Sequence, residues 1–193
     1  MVSQMLGVGV FAIGGLALLG WALNIALLKS LVFDSPAISP LTALCLLFFG
    51  FSLWSFARDT DVGVRWQAPQ FCAFAVGLIG LFKLADYLLG WNVNFDGLGF
   101  GGQLAQRMPS KNMSFVSALN CFLLGGALLF AGSRRNFVAF QTLILFAGSI
   151  SWLGCLHYFY GGKPLAPLEA TSFLSSIAFV LLAIGLFCTR TDR

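Results

Sequence analysis

Apolar residues along this chain form long, nearly unbroken runs, without the alternation of a half-buried strand or the narrow stripe of a water-soluble helix. Six runs fit the roughly 17–25 residues an α-helix needs to cross a bilayer core: 5–23, 41–57, 70–90, 113–132, 137–160 and 171–188. The segments between them, 24–40, 58–69, 91–112, 133–136 and 161–170, are mostly marked by Gly, Pro, Asn and Asp. The pattern predicts an all-α integral membrane protein, one domain over 1–193 with six transmembrane helices.

Composition sharpens this picture. Of 193 residues 59% are hydrophobic and 9% charged, against roughly 25% charged in a soluble domain. A water-soluble globule is excluded, and the lipid bilayer is the first partner expected. The net charge of +4 comes from scattered Lys and Arg, with no basic run interleaved with aromatics, so no nucleic-acid partner is expected. Cys45, Cys72, Cys121, Cys155 and Cys188 lie inside apolar runs without C-x-x-C spacing, and no metal site is predicted.

Charge sets the expected orientation. Arg58, Arg65, Arg134, Arg135, Arg190 and Arg193 fall on one side of the six spans, and Lys29, Arg107, Lys111 and Lys163 on the other. The rule that cytoplasmic loops carry the excess of Lys and Arg places the first side, with both termini, in the cytoplasm. The long segment WNVNFDGLGFGGQLAQRMPSKN (91–112) then lies outside, and a connection of this length is commonly functional or mobile. Its 99-GFGG-102 run is not followed by the Lys-Ser/Thr of a phosphate loop. Trp21, Trp91, Tyr158 and Tyr160 fall at outer span ends and are expected to anchor there, where amphipathic rings suit the headgroup level. The N-terminus lacks a basic n-region and a small-residue cleavage site, so a retained helix is expected.

The spans repeat in pairs. Aligning 40-PLTALCLLFFG-50 with 115-FVSALNCFLLG-125 matches Ala43 with Ala118, Leu44 with Leu119 and Gly50 with Gly125, while Thr42 meets Ser117. Ser175 of 173-FLSSIAFVLLAIG-185 continues that column. The odd-numbered spans align through 18-LLGWALN-24, 84-LADYLLG-90 and 155-CLHYFYG-161, which places Gly20, Asp86 and His157 in one column and Trp21, Tyr87 and Tyr158 in the next. Three repeated helix pairs are expected, with shared sites between units.

These features, together with G-W-N-V-N-F-D-G-L-G-F before R-M-P-S-K-N-M-S, resemble the six-helix membrane input region that precedes histidine-kinase or diguanylate-cyclase modules in many bacterial sensors. The resemblance covers essentially the whole chain. It implies a bacterial inner-membrane location, a signalling partner and no catalysis within this region. Even helices of that family begin Pro-Asn-Thr-Ala or His-Thr-Ala, whereas this chain has Pro40-Leu41-Thr42, Phe115-Val116-Ser117 and Phe173-Leu174-Ser175. The chain ends at TRTDR, where an effector would begin, so either a piece of a sensor or a stand-alone relative is expected.

Ionisable residues inside spans are the natural site candidates, because a charge at mid-bilayer costs at least about 2.5–3.5 kcal/mol. Lys83 and Asp86 stand three residues apart on one helical face. His157 and Asn120 are expected at similar depth, so Lys83, Asp86, Asn120 and His157 are predicted to form one ligand-binding or proton-responsive cluster in the outer half. The bland reading is that Lys83 and Asp86 neutralise one another while Asn120 and His157 act as packing glue. No cofactor is predicted, although His157 could give haem or a pigment one axial bond, and no Ser/His/Asp arrangement is visible. The functional expectation is a non-enzymatic sensor module responding to a hydrophobic or membrane-derived cue. An accessory subunit of a larger membrane complex is the alternative, and a small-molecule transporter is third.

Overall fold

The computed structural model describes residues 2–23, 25, 37–58, 67–91, 113–131, 136–160 and 171–191. Within them the backbone forms six α-helices: α1 Val2–Ala22, α2 Pro40–Arg58, α3 Gln67–Leu89, α4 Phe115–Phe130, α5 Phe137–Tyr160 and α6 Phe173–Thr191. Four of these, α1, α2, α3 and α5, are long and apolar enough to cross a membrane. The apolar stretches Phe115–Phe130 and Phe173–Thr189 are shorter. Helices suit such a chain because every backbone N–H and C=O is satisfied within the segment, leaving apolar side chains to face lipid.

The helix ends differ from the expected spans by a few residues, for local reasons. Helix α4 begins two residues later than its apolar run, because Ser114 sits in extended conformation (φ −67°, ψ 153°) and its side chain accepts from the Ser117 N–H. Helix α3 reaches back to Gln67. Its far end is fixed by Gly90, whose φ of +65° is a left-handed conformation that other residues adopt at a cost. Most of the 91–112 connection, the residues of the SRRN turn before Asn136, and most of the charges used to orient the spans lie outside the described residues.

Packing is most extensive between α1 and α2, α3 and α4, and α5 and α6, and further interfaces join α2 to α3, α4 to α5 and α6 to α1. Helices α2, α4 and α6 also touch one another. The even helices therefore form the interior and the odd ones the outside. Burial follows the same division: 56% of the apolar window of α2 is buried, against 33%, 22% and 28% for α1, α3 and α5. Leu46, Phe49 and Leu53 of α2, Leu124 of α4, and Phe179, Leu182 and Leu186 of α6 fill the core. The exposed surface carries Met5, Phe11, Phe71, Phe82, Phe146 and Trp152 among many others, an apolar exterior far larger than a water-exposed protein maintains.

The three inner helices start alike. Ser39, Ser114 and Ser172 each accept at Oγ from the backbone N–H three residues on, at Thr42, Ser117 and Ser175, each at 3.2 Å. These bonds satisfy N–H groups that have no partner within the helix. The residue before each serine is also held. Trp21 Nε1 donates to the Ile38 carbonyl at 2.8 Å, Tyr87 Oη to that of Met113 at 2.6 Å, and Tyr158 Oη to that of Thr171 at 2.5 Å. In each hairpin an aromatic donor near the end of the odd helix thus clasps the entry of the following even helix. Replacing Tyr158 by Phe keeps the ring and removes the bond, and is expected to lower stability by about 1 kcal/mol; thermal unfolding in detergent, with Tyr87→Phe as a parallel case, checks it.

Candidate functional site

The end of the bundle where α2, α4 and α6 begin, here the capped end, holds a concentration of buried polar groups. Ser39, Thr42, Ser114, Ser117, Thr171, Ser172, Ser175 and Ser176 are all buried. Most are bonded locally: Ser39 to Thr42 at 2.8 Å, Ser114 to Ser117 at 2.9 Å, and both Ser175 and Ser176 to the Ser172 carbonyl. Ser114 Oγ also lies 3.4 Å from Thr171 Oγ1, linking the entries of α4 and α6. The pattern Ser-x-x-Ser/Thr opening each even span was a readable helix-start signal. Both hydroxyls were visible in the sequence, but the capping role of the first and the carbonyls that the aromatics clasp were not read from it.

Lys83 and Asp86 are brought together on α3. Lys83 is 4% exposed and Asp86 14% at the side chain, with Nζ to Oδ2 at 4.0 Å. That separation is an ion pair at its outer limit, longer than a direct charged hydrogen bond of about 2.7–2.9 Å. In low-dielectric surroundings attraction at such a range offsets part of the cost of burying the two groups. One turn along the same helix, Gly80 packs tightly on α4: a Cβ there would stand 2.8 Å from the Ala118 carbonyl oxygen and 2.6 Å from the Phe122 nitrogen. The pair is thus carried on a helix locked against its neighbour.

Asn120 lies on a different flank. It is two residues from both Ala118 and Phe122, which is about 200° around a helix, so it points away from α3. It is 1% exposed, and among the described residues neither Nδ2 nor Oδ1 has a hydrogen-bond partner. His157 is half-buried on α5, its ring edge-on to Tyr158 at 5.8 Å, and Tyr158 in turn meets Phe173 at 5.3 Å. Helix α4 packs against both α3 and α5, which share no extensive interface of their own. The four predicted site residues therefore divide: Lys83 and Asp86 together on one side of α4, Asn120 facing the other, and His157 on α5.

No family model, curated protein or solved structure matches this chain. What the chain does must therefore be argued from its own residues. Among the described residues no group of three or more His, Cys, Asp or Glu side chains could hold a metal ion, and the five cysteines are free thiols.

The expected anchors are placed as follows. Trp21 is 5% exposed, its indole engaged inside the bundle; Trp91 is 62% exposed just beyond α3; and Tyr158 is half-buried in its clasp. Tyr160 ends α5, and its side chain lies outside the described residues. A groove of about 420 Å³ runs between α5 and α6, lined by Ile144, Gly148, Trp152, Ala183 and Phe187 among others. Its lining is apolar, and it offers contact area without chemistry.

Proposed function

We propose that the chain is a signal-input module of a bacterial membrane sensor. In this reading it crosses the cytoplasmic membrane six times as three repeated helix pairs, with both termini in the cytoplasm and the capped end outside. A hydrophobic or membrane-derived cue, or a change in the bilayer, acts on the polar groups near the capped end, namely Lys83, Asp86, Asn120 and His157. The signal leaves through the opposite end of α6 toward a signalling partner. The module binds and transmits without catalysing a reaction.

The observation that carries the reading is the set of buried polar groups that packing alone does not require. An ion pair separated by 4.0 Å on α3 and an unpartnered amide on α4 sit inside helices otherwise made for lipid, where such groups mark function by default. The repeat draws support from the three serine caps and the three aromatic clasps, in which Trp21, Tyr87 and Tyr158 perform one task in three hairpins. Movement of one pair against another would change the surroundings of Lys83 and Asp86 without unfolding a helix.

The test is a fusion of the chain to a histidine-kinase reporter, reconstituted in nanodiscs. Autophosphorylation is expected to change with lipid composition, relative to the same kinase on an inert single-helix anchor. A second reading, an accessory subunit in a larger membrane complex, draws on the apolar α5–α6 groove; a stable partner recovered from native membranes, together with a reporter indifferent to lipid, would favour it.

A further inference from the structure

The Asn120 amide is the sharpest anomaly in the bundle. Both of its polar ends are buried and, among the described residues, unpartnered, so exchanging the positions of nitrogen and oxygen does not relieve it. Burying an amide without hydrogen bonds is costly in any apolar surrounding, and native proteins rarely leave both ends unmet. A partner must come from outside the described side chains.

The chemistry of that partner follows from what the neighbouring helices can offer. Asn120 faces away from α3, and the other helices packed on α4 are α5, α6 and α2. The buried serine hydroxyls of α5 and α6 have already given their protons to carbonyls of their own helices: Ser151 to Ala147 at 2.8 Å, Ser175 to Ser172 at 2.7 Å and Ser176 to Ser172 at 3.3 Å. They can accept but have no proton left for Oδ1. A carbonyl ligand would share that defect, satisfying Nδ2–H and leaving Oδ1 bare. An ion would lose its hydration for a neutral amide. A hydroxyl is the smallest group that both accepts and donates through one oxygen.

We propose that the Asn120 carboxamide binds one neutral hydroxyl group, which accepts from Nδ2–H and donates to Oδ1. The hydroxyl belongs either to a buried water, which typically makes about three hydrogen bonds to polar groups otherwise unmet, or to a membrane-soluble alcohol or phenol. This deepens the input-site reading and rests on it only in treating the alcohol as a cue.

The experiment uses the full chain, with nitrogen-15 in its Asn side chains, in phosphatidylcholine nanodiscs. Solid-state NMR reads magnetisation transfer to the Asn120 side-chain amide, assigned by its loss in Asn120→Leu or, if that variant does not fold, in Asn120→Ser. Transfer from water, replaced by transfer from added 1-decanol or phenol, is expected if an alcohol is the occupant; transfer from water that neither additive displaces assigns the site to water alone. Both support the proposal. An Asn120 amide that receives from none of these and correlates instead with a protein carbonyl overturns it. A reporter kinase blind to lipid while the water contact persists would count against the input-site reading and leave this one standing.

Discussion

Replacing Gly50 by alanine is expected to destabilise the α1–α2 hairpin strongly, more than the same change at any other glycine of α1 or α2. A Cβ at Gly50 would lie 2.5 Å from the Phe11 nitrogen and 2.7 Å from its Cα. Those are backbone atoms, which cannot swing aside as a side-chain tip does. Relief requires the two helices to separate, and overpacking of this kind costs about 1–3 kcal/mol, occasionally more. Hairpins in lipid depend on such close approach, because no hydrophobic driving force pushes one helix onto another there. Thermal unfolding in detergent checks this against Gly9→Ala, where the added Cβ meets nothing within 4 Å. A large drop for Gly50→Ala beside almost none for Gly9→Ala is the expected result.

The second large effect concerns Lys83 and Asp86. Lys83→Met alone removes the cation that stands 4.0 Å from Asp86 Oδ2, leaving a carboxylate in low dielectric without that charge beside it. Breaking a buried pair from one side costs about 3–5 kcal/mol, whereas replacing both partners by apolar residues of similar volume is often neutral or stabilising. Asp86, at 14% exposed, retains some solvation, so the lower end of that range applies to Lys83→Met. The double replacement Lys83→Met with Asp86→Leu is expected to recover most of the loss. A double-mutant cycle on unfolding free energy measures the coupling directly.

How far the sequence foretold the molecule varied with the physics behind each feature. The apolar runs marked all six helices, because length and continuity of hydrophobic residues report directly on helices that face lipid. Their ends were harder to read. Ser114 and Ser172 lie inside the runs 113–132 and 171–188 yet precede the helices, since a serine can be apolar filler or a cap and only its backbone conformation decides. The column Trp21, Tyr87, Tyr158 was visible in the alignment. Its task was not, because the accepting carbonyls at Ile38, Met113 and Thr171 are backbone atoms that carry no residue signature.

The candidate site was legible only in part. Lys83 and Asp86 met as their spacing required, since i and i+3 share a face on any helix. Whether Asn120 and His157 joined them depended on the rotation of α4 and the position of α5, which residue spacing within one helix does not encode. Distance to the helix ends gave only an expected position along each helix. Direction around the helix needed the contacts of Gly80 with Ala118 and Phe122.

The near-neutral cost expected for the double replacement at Lys83 and Asp86 makes it the cleanest probe of the input reading, because it separates signalling from folding. The decisive measurement is autophosphorylation of the reporter kinase fused to the chain in nanodiscs, compared between wild type and this double variant as lipid composition is changed. The wild type is expected to respond and the folded double variant not to. An equal response from both would contradict the input reading.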